Sequence, residues 1–297
     1  MSLIIRSIQT LKGRIRRLLP NSIIELVRFK SREKRLAKIR EQVSEFDLAA
    51  FTEVLDELQV NSAGNIFVHS GADWVGKVEG GPFAILKCLM GYMDKGTLMM
   101  PSFPIEGMAR DYLDNYTFSL KKTPSKMGLL TELFRRTENV KRSLHPTHSV
   151  CAFGRNADKL VENHHKCRCP FEVSSPFGKL VALEGQILLI GVGLEVLTHV
   201  HTVEDSMGDN FPYKVYEKNE RKVVVIDDND TEIHLVTCVH NPAVSVRKNI
   251  PQFETEMIEQ DVMSKIKVAG IVFRILDSEK LASFLYKKAC LGMTIYD

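Results

Sequence analysis

The chain lacks the long apolar runs of a membrane span. No stretch approaches the about 20 residues required, and Arg and Lys interrupt every early apolar segment, which argues against a secretory signal peptide. The six cysteines, Cys88, Cys151, Cys167, Cys169, Cys238 and Cys290, form no disulfide-like framework, so a reducing cytoplasm is the expected compartment. A glycine-rich loop at 70–81 is neither a P-loop nor a GxGxxG fingerprint. His164, His165, Cys167 and Cys169 invite a metal reading, yet their spacing departs from the paired pattern of structural zinc, and no metal is expected. Basic residues are not interleaved with exposed aromatics, so nucleic acid is not an expected partner either.

What is present is unevenly distributed. The 297 residues are 44% hydrophobic, enough for one large domain or two modest ones. Residues 1–40 hold twelve Lys and Arg against Glu25 and Glu33, a net charge of +10 that leaves −7 on the remainder of a chain whose total is +3. Ile4, Ile8, Leu11, Ile15 and Leu18 recur at helical spacing among Arg6, Lys12, Arg14, Arg16 and Arg17, until Pro20 breaks the pattern. A second helical run follows from Ser22. Residues 1–44 therefore read as a basic amphipathic helical extension and 45–297 as the domain body. Two partners for the extension stand level: an anionic membrane surface, placing the protein peripherally on the inner membrane face, and the body or a second subunit of a homodimer.

The body alternates strand and helix signals, the mark of an α/β fold. Helical periodicity covers 48–58 and 83–93, strand-like runs cover 65–70 and 96–103, and a hairpin is expected around Asp227 to Asp230. Ser125 suits the N-cap of a helix reaching Arg136. Cys151 lies in an apolar strand-like run and reads as a small buried residue rather than an acyl carrier.

Residues 145–205 are the stretch around which the rest is organised. Ile187 to Ile190 is a short apolar run ended by Gly191 and Gly193, as for a buried strand feeding a loop at its carboxyl end, where open α/β sheets place ligands. Beyond it, a helix starting after Thr198 would set Glu204 three residues and Asp205 four residues from His201, within reach of its imidazole. A carboxylate-paired imidazole has a fixed tautomer and suits a general base; a solvated acidic helix start is the competing reading.

Six segments, in order, resemble the aminoglycoside 3-N-acetyltransferase family, also called the antibiotic N-acetyltransferase family: 69–81, 96–103, Thr123-Pro124-Ser125-Lys126-Met127-Gly128, 142–150, Ser175-Pro176-Phe177-Gly178-Lys179-Leu180 and 189–204. The resemblance covers roughly residues 45–290. It implies a three-layer α/β/α sandwich, an acetyl-CoA-dependent enzyme, His201 as catalytic base and Glu204 as its acidic partner. It further implies that Thr147 and His148 line the reaction centre. His69, Ser70, Gly76, Val78, Gly80, Gly81 and Ser125 would receive the pantetheine and phosphates.

The expected reaction is N-acetylation of an amino sugar by direct attack. Where antibiotic-modifying members carry an aspartate and small polar residues, this chain has Leu194-Glu195-Val196-Leu197. Glu195, the single acid there, and Asp205 are the expected acceptor contacts. A second histidine, His199, lies beside the expected base. The apolar stretch and the basic extension favour a nucleotide- or lipid-linked sugar of surface polysaccharide biosynthesis as acceptor. Aminoglycoside acetylation conferring antibiotic resistance is the alternative, and a non-catalytic membrane-surface scaffold a third reading.

Overall fold

The computed structural model describes residues 46–297, apart from 72, 105 and 106. The extension expected at 1–44 lies outside the described residues.

Helix α1 (Leu48–Glu57) begins where the Asp47 side chain accepts from the Ala50 N–H at 2.7 Å, and its Phe51, Val54 and Leu55 fall on one buried face. Then come β1 (Asn65–Ser70), α2 (Gly81–Tyr92), β2 (Thr97–Pro101), β3 (Thr117–Ser119), α3 (Leu129–Arg136), β4 (Lys141–Arg142) and β5 (Val150–Gly154). The chain continues through α4 (Ala157–Val161), α5 (Pro176–Ala182), β6 (Gln186–Ile190), α6 (His201–Met207), β7 (Arg221–Ile226) and β8 (Glu232–Thr237). It ends with α7 (Pro242–Ser245), α8 (Glu254–Glu259), β9 (Met263–Val268), β10 (Ile271–Asp277) and α9 (Ser278–Cys290).

Seven strands form the central sheet in the order β4-β5-β2-β1-β6-β10-β9. Strand β1 runs parallel to both neighbours, β2 and β6, while β5 and β10 join antiparallel. Both faces of the parallel centre are covered, which is why Ile187 to Ile190 reads as a continuous apolar run. Phe67, Met99, Ile187 and Leu189 share one face and pack into a core with Phe177, Leu180, Val203 and Phe284 of α5, α6 and α9. Behind the opposite face, Phe46, Phe51, Trp74 and Phe273 form a ring cluster with centroids 5.8 to 6.5 Å apart. Helices α1, α2 and α3 touch in series on that side, giving the expected α/β/α layering.

A smaller sheet, β3-β7-β8, contains the expected hairpin. Its turn is held by Asp227, whose Oδ1 accepts from the N–H groups of Asn229 and Thr231 at 2.9 and 2.8 Å. Helix α3 differs from expectation. It starts at Leu129, after Gly128 at φ +108°, a conformation open mainly to glycine. Ser125 is not its N-cap: the Oγ pairs with the Thr131 hydroxyl at 3.0 Å and accepts from the Met127 N–H at 3.2 Å. Among the described residues, no helix is long and apolar enough to cross a membrane.

Candidate active site

The carboxyl ends of β2, β1 and β6 lie on one edge because the three strands are parallel. Antiparallel β5 starts at that same edge, with Val150 opposite Pro101. Strand direction alone therefore brings Phe103, His69, His201 and the segment 147–149 towards one place. The loops after β1 and β6 are tied together by the Gly71 N–H donating to the Ile190 carbonyl at 2.9 Å. Gly191 has φ +64°, and a Cβ there would stand 2.7 Å from the Trp74 ring, so both backbone and packing demand glycine.

A cavity of about 220 Å³ opens at this edge, lined in part by Phe103, Thr147, His148, His201, His240 and Tyr296. His201 opens helix α6, and Glu204 follows it by most of a turn. The His201 Nδ1 lies 2.8 Å from Glu204 Oε2, and Glu204 is 2% exposed. Burial alone would raise the Glu204 carboxyl; the opposing pull of His201, with a lesser one from His240, holds it below its ordinary range. Burial lowers His201 to about 4, only partly offset by Glu204. At neutral pH the pair is thus carboxylate and neutral imidazole. An ionised carboxylate only accepts, so Nδ1 donates and the Nε2 lone pair is left free. No protein hydrogen bond reaches that Nε2 among the described residues.

The 145–149 turn is wired internally. His145 Nδ1 accepts from the Thr147 and His148 N–H groups at 3.3 and 3.2 Å. The Thr147 hydroxyl lies 2.8 Å from His148 Nδ1. Behind the turn, the Arg142 guanidinium donates to the carbonyls of Leu120, Thr123 and Ser102 and to the Ser149 hydroxyl. Burial, only weakly opposed by more distant groups such as Glu132, brings that guanidinium down to about 10.

Of the residues singled out from sequence, the cavity gathers Thr147, His148 and His201, with Glu204 directly behind. The others lie off it. His69 is the penultimate residue of β1, buried, with no partner for its Nε2 among the described residues. Ser70 closes that strand, Gly76 and Val78 lie in the following loop, and Gly80 and Gly81 start α2. Ser125 is buried beside α3. Glu195 is exposed. Asp205 is engaged elsewhere than at His201: it accepts from the Tyr216 hydroxyl at 2.6 Å and the Phe171 N–H at 2.9 Å. That tie fixes Phe171, whose ring packs 4.7 Å from His148 and 5.0 Å from His201. His199 is enclosed between Phe67 and Phe177, and neither ring nitrogen is hydrogen-bonded among the described residues.

Neither the acyl-carrier nor the zinc reading of the cysteines gains support. Burial pushes the Cys151 thiol up to about 11, far from a thiolate at neutral pH. His164 lies between Ser143 Oγ and the Pro170 carbonyl, and Cys167 pairs with Ser174. Among the described residues the one donor group compact enough for an ion is His201, Glu204 and His240, and its carboxylate is already engaged by His201 and by the Tyr296 hydroxyl at 2.7 Å.

Three cavity residues carried no signal in the sequence. His240 follows β8 and sets its Nε2 3.7 Å from Glu204 Oε2. Tyr296 arrives from beyond α9, and Lys248 from the turn after α7. No motif surrounds them; only tertiary folding brings them in.

A family model described as aminoglycoside 3-N-acetyltransferase matches residues 67–288. The SPbeta prophage-derived aminoglycoside N(3')-acetyltransferase-like protein YokD of Bacillus subtilis is 30% identical over 173 residues, 52% of this chain and 63% of that protein. Aminoglycoside N(3)-acetyltransferase IV of Salmonella sp is 33% identical over 148 residues, 50% of this chain and 54% of that protein. The chain thus spans less than two thirds of the length of these two relatives. A solved structure described as AAC-IIIb binary with CoASH shares the fold, with a TM-score of 0.71 at 19% identity over 84% of this chain and 98% of that one. With three quarters of its length inside the family model and the same sandwich beneath, the chain belongs to the aminoglycoside 3-N-acetyltransferase family.

Proposed function

We propose that this protein is an acetyl-CoA-dependent N-acetyltransferase that acylates the amino group of an amino sugar by direct attack. The observation that carries the reading is His201, held through Nδ1 by buried Glu204, with its other nitrogen free at the cavity. The acceptor amine attacks the thioester carbonyl, its N–H becomes acidic as the C–N bond forms, and His201 Nε2 takes the proton. A weak base suffices for so acidic an intermediate. The C–S bond breaks, CoA leaves as thiolate and is protonated, and the amide remains. The Thr147 hydroxyl and loop backbone N–H groups are the donors for the oxyanion.

The donor substrate is assigned to the loop of Ser70, Gly76, Val78, Gly80 and Gly81, with His69 beneath and Ser125 alongside. The amino end of twelve-residue α2 has no side-chain cap, and its dipole suits phosphate. CoASH in the AAC-IIIb structure supports acetyl-CoA as the acetyl donor. The relatives' names support an aminoglycoside as acceptor; nothing in them supports the nucleotide- or lipid-linked sugar of polysaccharide synthesis. The scaffold reading predicts vesicle binding through residues 1–40 without turnover, and the paired His201 and Glu204 favour catalysis.

The test is thiol release from acetyl-CoA across aminoglycosides, free amino sugars and nucleotide-linked amino sugars. Acceptor-dependent release that collapses in His201→Ala, with CoA binding retained, is expected. Release unaffected by that change would overturn the role of His201.

A further inference from the structure

Lys248 is the one side-chain cation of full charge among the described residues lining the cavity, and no carboxylate lines it among those residues. This runs against the charge of the molecule, because the chain beyond residue 40 carries −7. Other partly withdrawn lysines are occupied: Lys179 donates to the carbonyls of Lys159 and Glu162, and Lys288 pairs with Glu256. Among the described residues, none gives the Lys248 ammonium a hydrogen bond or an ion pair. Its charge is felt across the site, where it depresses His69, His148 and His201. Burial in turn lowers Lys248 itself, with Glu204 and Glu195 opposing from a distance.

A desolvated ammonium without a counter-ion is unfavourable, and an anion arriving with a ligand removes that penalty. The cofactor segments identified above do not line this cavity, which leaves the acceptor as the source of the anion. The volume, about 220 Å³, is below the roughly 300–1,000 Å³ typical of clefts for drug-sized molecules; it suits one sugar ring.

We propose that Lys248 is a specificity-determining residue that receives an anionic substituent, phosphate or carboxylate, on a single-ring amino sugar acceptor. The proposal rests on the acetyltransfer reading. It disfavours polycationic acceptors, whose ammonium groups would meet Lys248.

Lys248→Met tests it. Initial rates of thiol release are measured with glucosamine, glucosamine 1-phosphate, glucosamine 6-phosphate, an amino-sugar uronic acid and gentamicin. Wild-type protein is expected to show a KM at least about tenfold lower for one of the anionic sugars than for glucosamine, a factor of ten being about 1.4 kcal/mol. Lys248→Met should erase that advantage while the KM for acetyl-CoA stays within about twofold. Which anionic sugar benefits distinguishes phosphate from carboxylate. An equal fall in kcat for every acceptor would make Lys248 a catalytic group instead and overturn the proposal, as would gentamicin being preferred by the wild type.

A second measurement needs no turnover: calorimetric titration of glucose 1-phosphate, glucose 6-phosphate, glucuronate and inorganic phosphate into both proteins. Binding of one sugar anion to wild type, weakened about tenfold or more in Lys248→Met, supports the anion site even where no acceptor is acetylated, and in that case the acetyltransfer reading alone fails. Absence of sugar-anion binding, or equal binding by both proteins, overturns the site.

Discussion

The Tyr296 hydroxyl donates to Glu204 Oε1 at 2.7 Å, while the other oxygen of the same carboxylate takes His201 Nδ1 at 2.8 Å. Glu204 is therefore fixed at both oxygens, and the imidazole inherits that fixation. Glu204→Gln keeps the shape but presents an amide that need not accept from Nδ1. A fall in kcat of about 10² or more is expected, within the range ascribed to a positioned base, with the acetyl-CoA KM little changed. Tyr296→Phe removes one hydrogen bond to a buried charge and should destabilise the fold by about 1.5–3 kcal/mol. Steady-state kinetics and denaturant melts of the two variants check this; an unaltered kcat in Glu204→Gln would remove Glu204 from the mechanism.

Acid should unfold this protein early. Burial lowers His69 and His164 to about 3 and His201 to about 4, and holds His145, His148 and His199 well below the ordinary value. In the unfolded chain each takes a proton near 6.5, so the stability they confer is complete above that pH and is lost as pH falls towards the folded values. Each costs up to about 1.4 kcal/mol per pH unit there. Asp205, raised to about 7 by burial, acts in the opposite sense, but it is one group against six. Melting temperature should be level above pH 7.5 and drop steeply between pH 6 and 5. A flat profile down to pH 5 would show these imidazoles to be protonated, or hydrated, in the fold.

Asp205→Ala separates an acceptor contact from a structural tie. Loss of its bonds to Tyr216 and to the Phe171 N–H should destabilise the fold by about 1–3 kcal/mol, several degrees in melting temperature for a domain of this size. The acceptor KM should hold. A KM increase at unchanged stability would instead place Asp205 on the substrate.

Arg142→Lys removes a planar fork that serves three carbonyls and a hydroxyl at once. A lysine cannot reproduce that geometry. A loss of at least about 2 kcal/mol is expected, with kcat reduced because Thr147 and His148 follow on the same segment. Thermal melts together with kcat values for the variant test both halves.

The sequence made His201 and Glu204 legible because their partnership is local: three residues on one helix, after an apolar run ended by glycines. Thr147 and His148 were legible through the resemblance of 142–150. His240, Lys248 and Tyr296 were hidden because each is isolated in its own segment and meets the site only through long-range packing. Asp205 misled by the same local rule that found Glu204. Four residues from His201 is near enough for a bond, but Tyr216 and the Phe171 N–H, distant in sequence, claimed it. At Ser125 the good capping chemistry was overridden by the φ +108° of Gly128.

The central sheet ends in β4, two residues long, and in β9, whose Lys265 and Lys267 are exposed. A short strand offers too few backbone groups for a neighbour to pair with, and stacking two such lysine-bearing edges would set like charges side by side. Continued strand pairing at these two edges of the central sheet is thereby disfavoured, leaving the strand ends that frame the cavity open to small molecules.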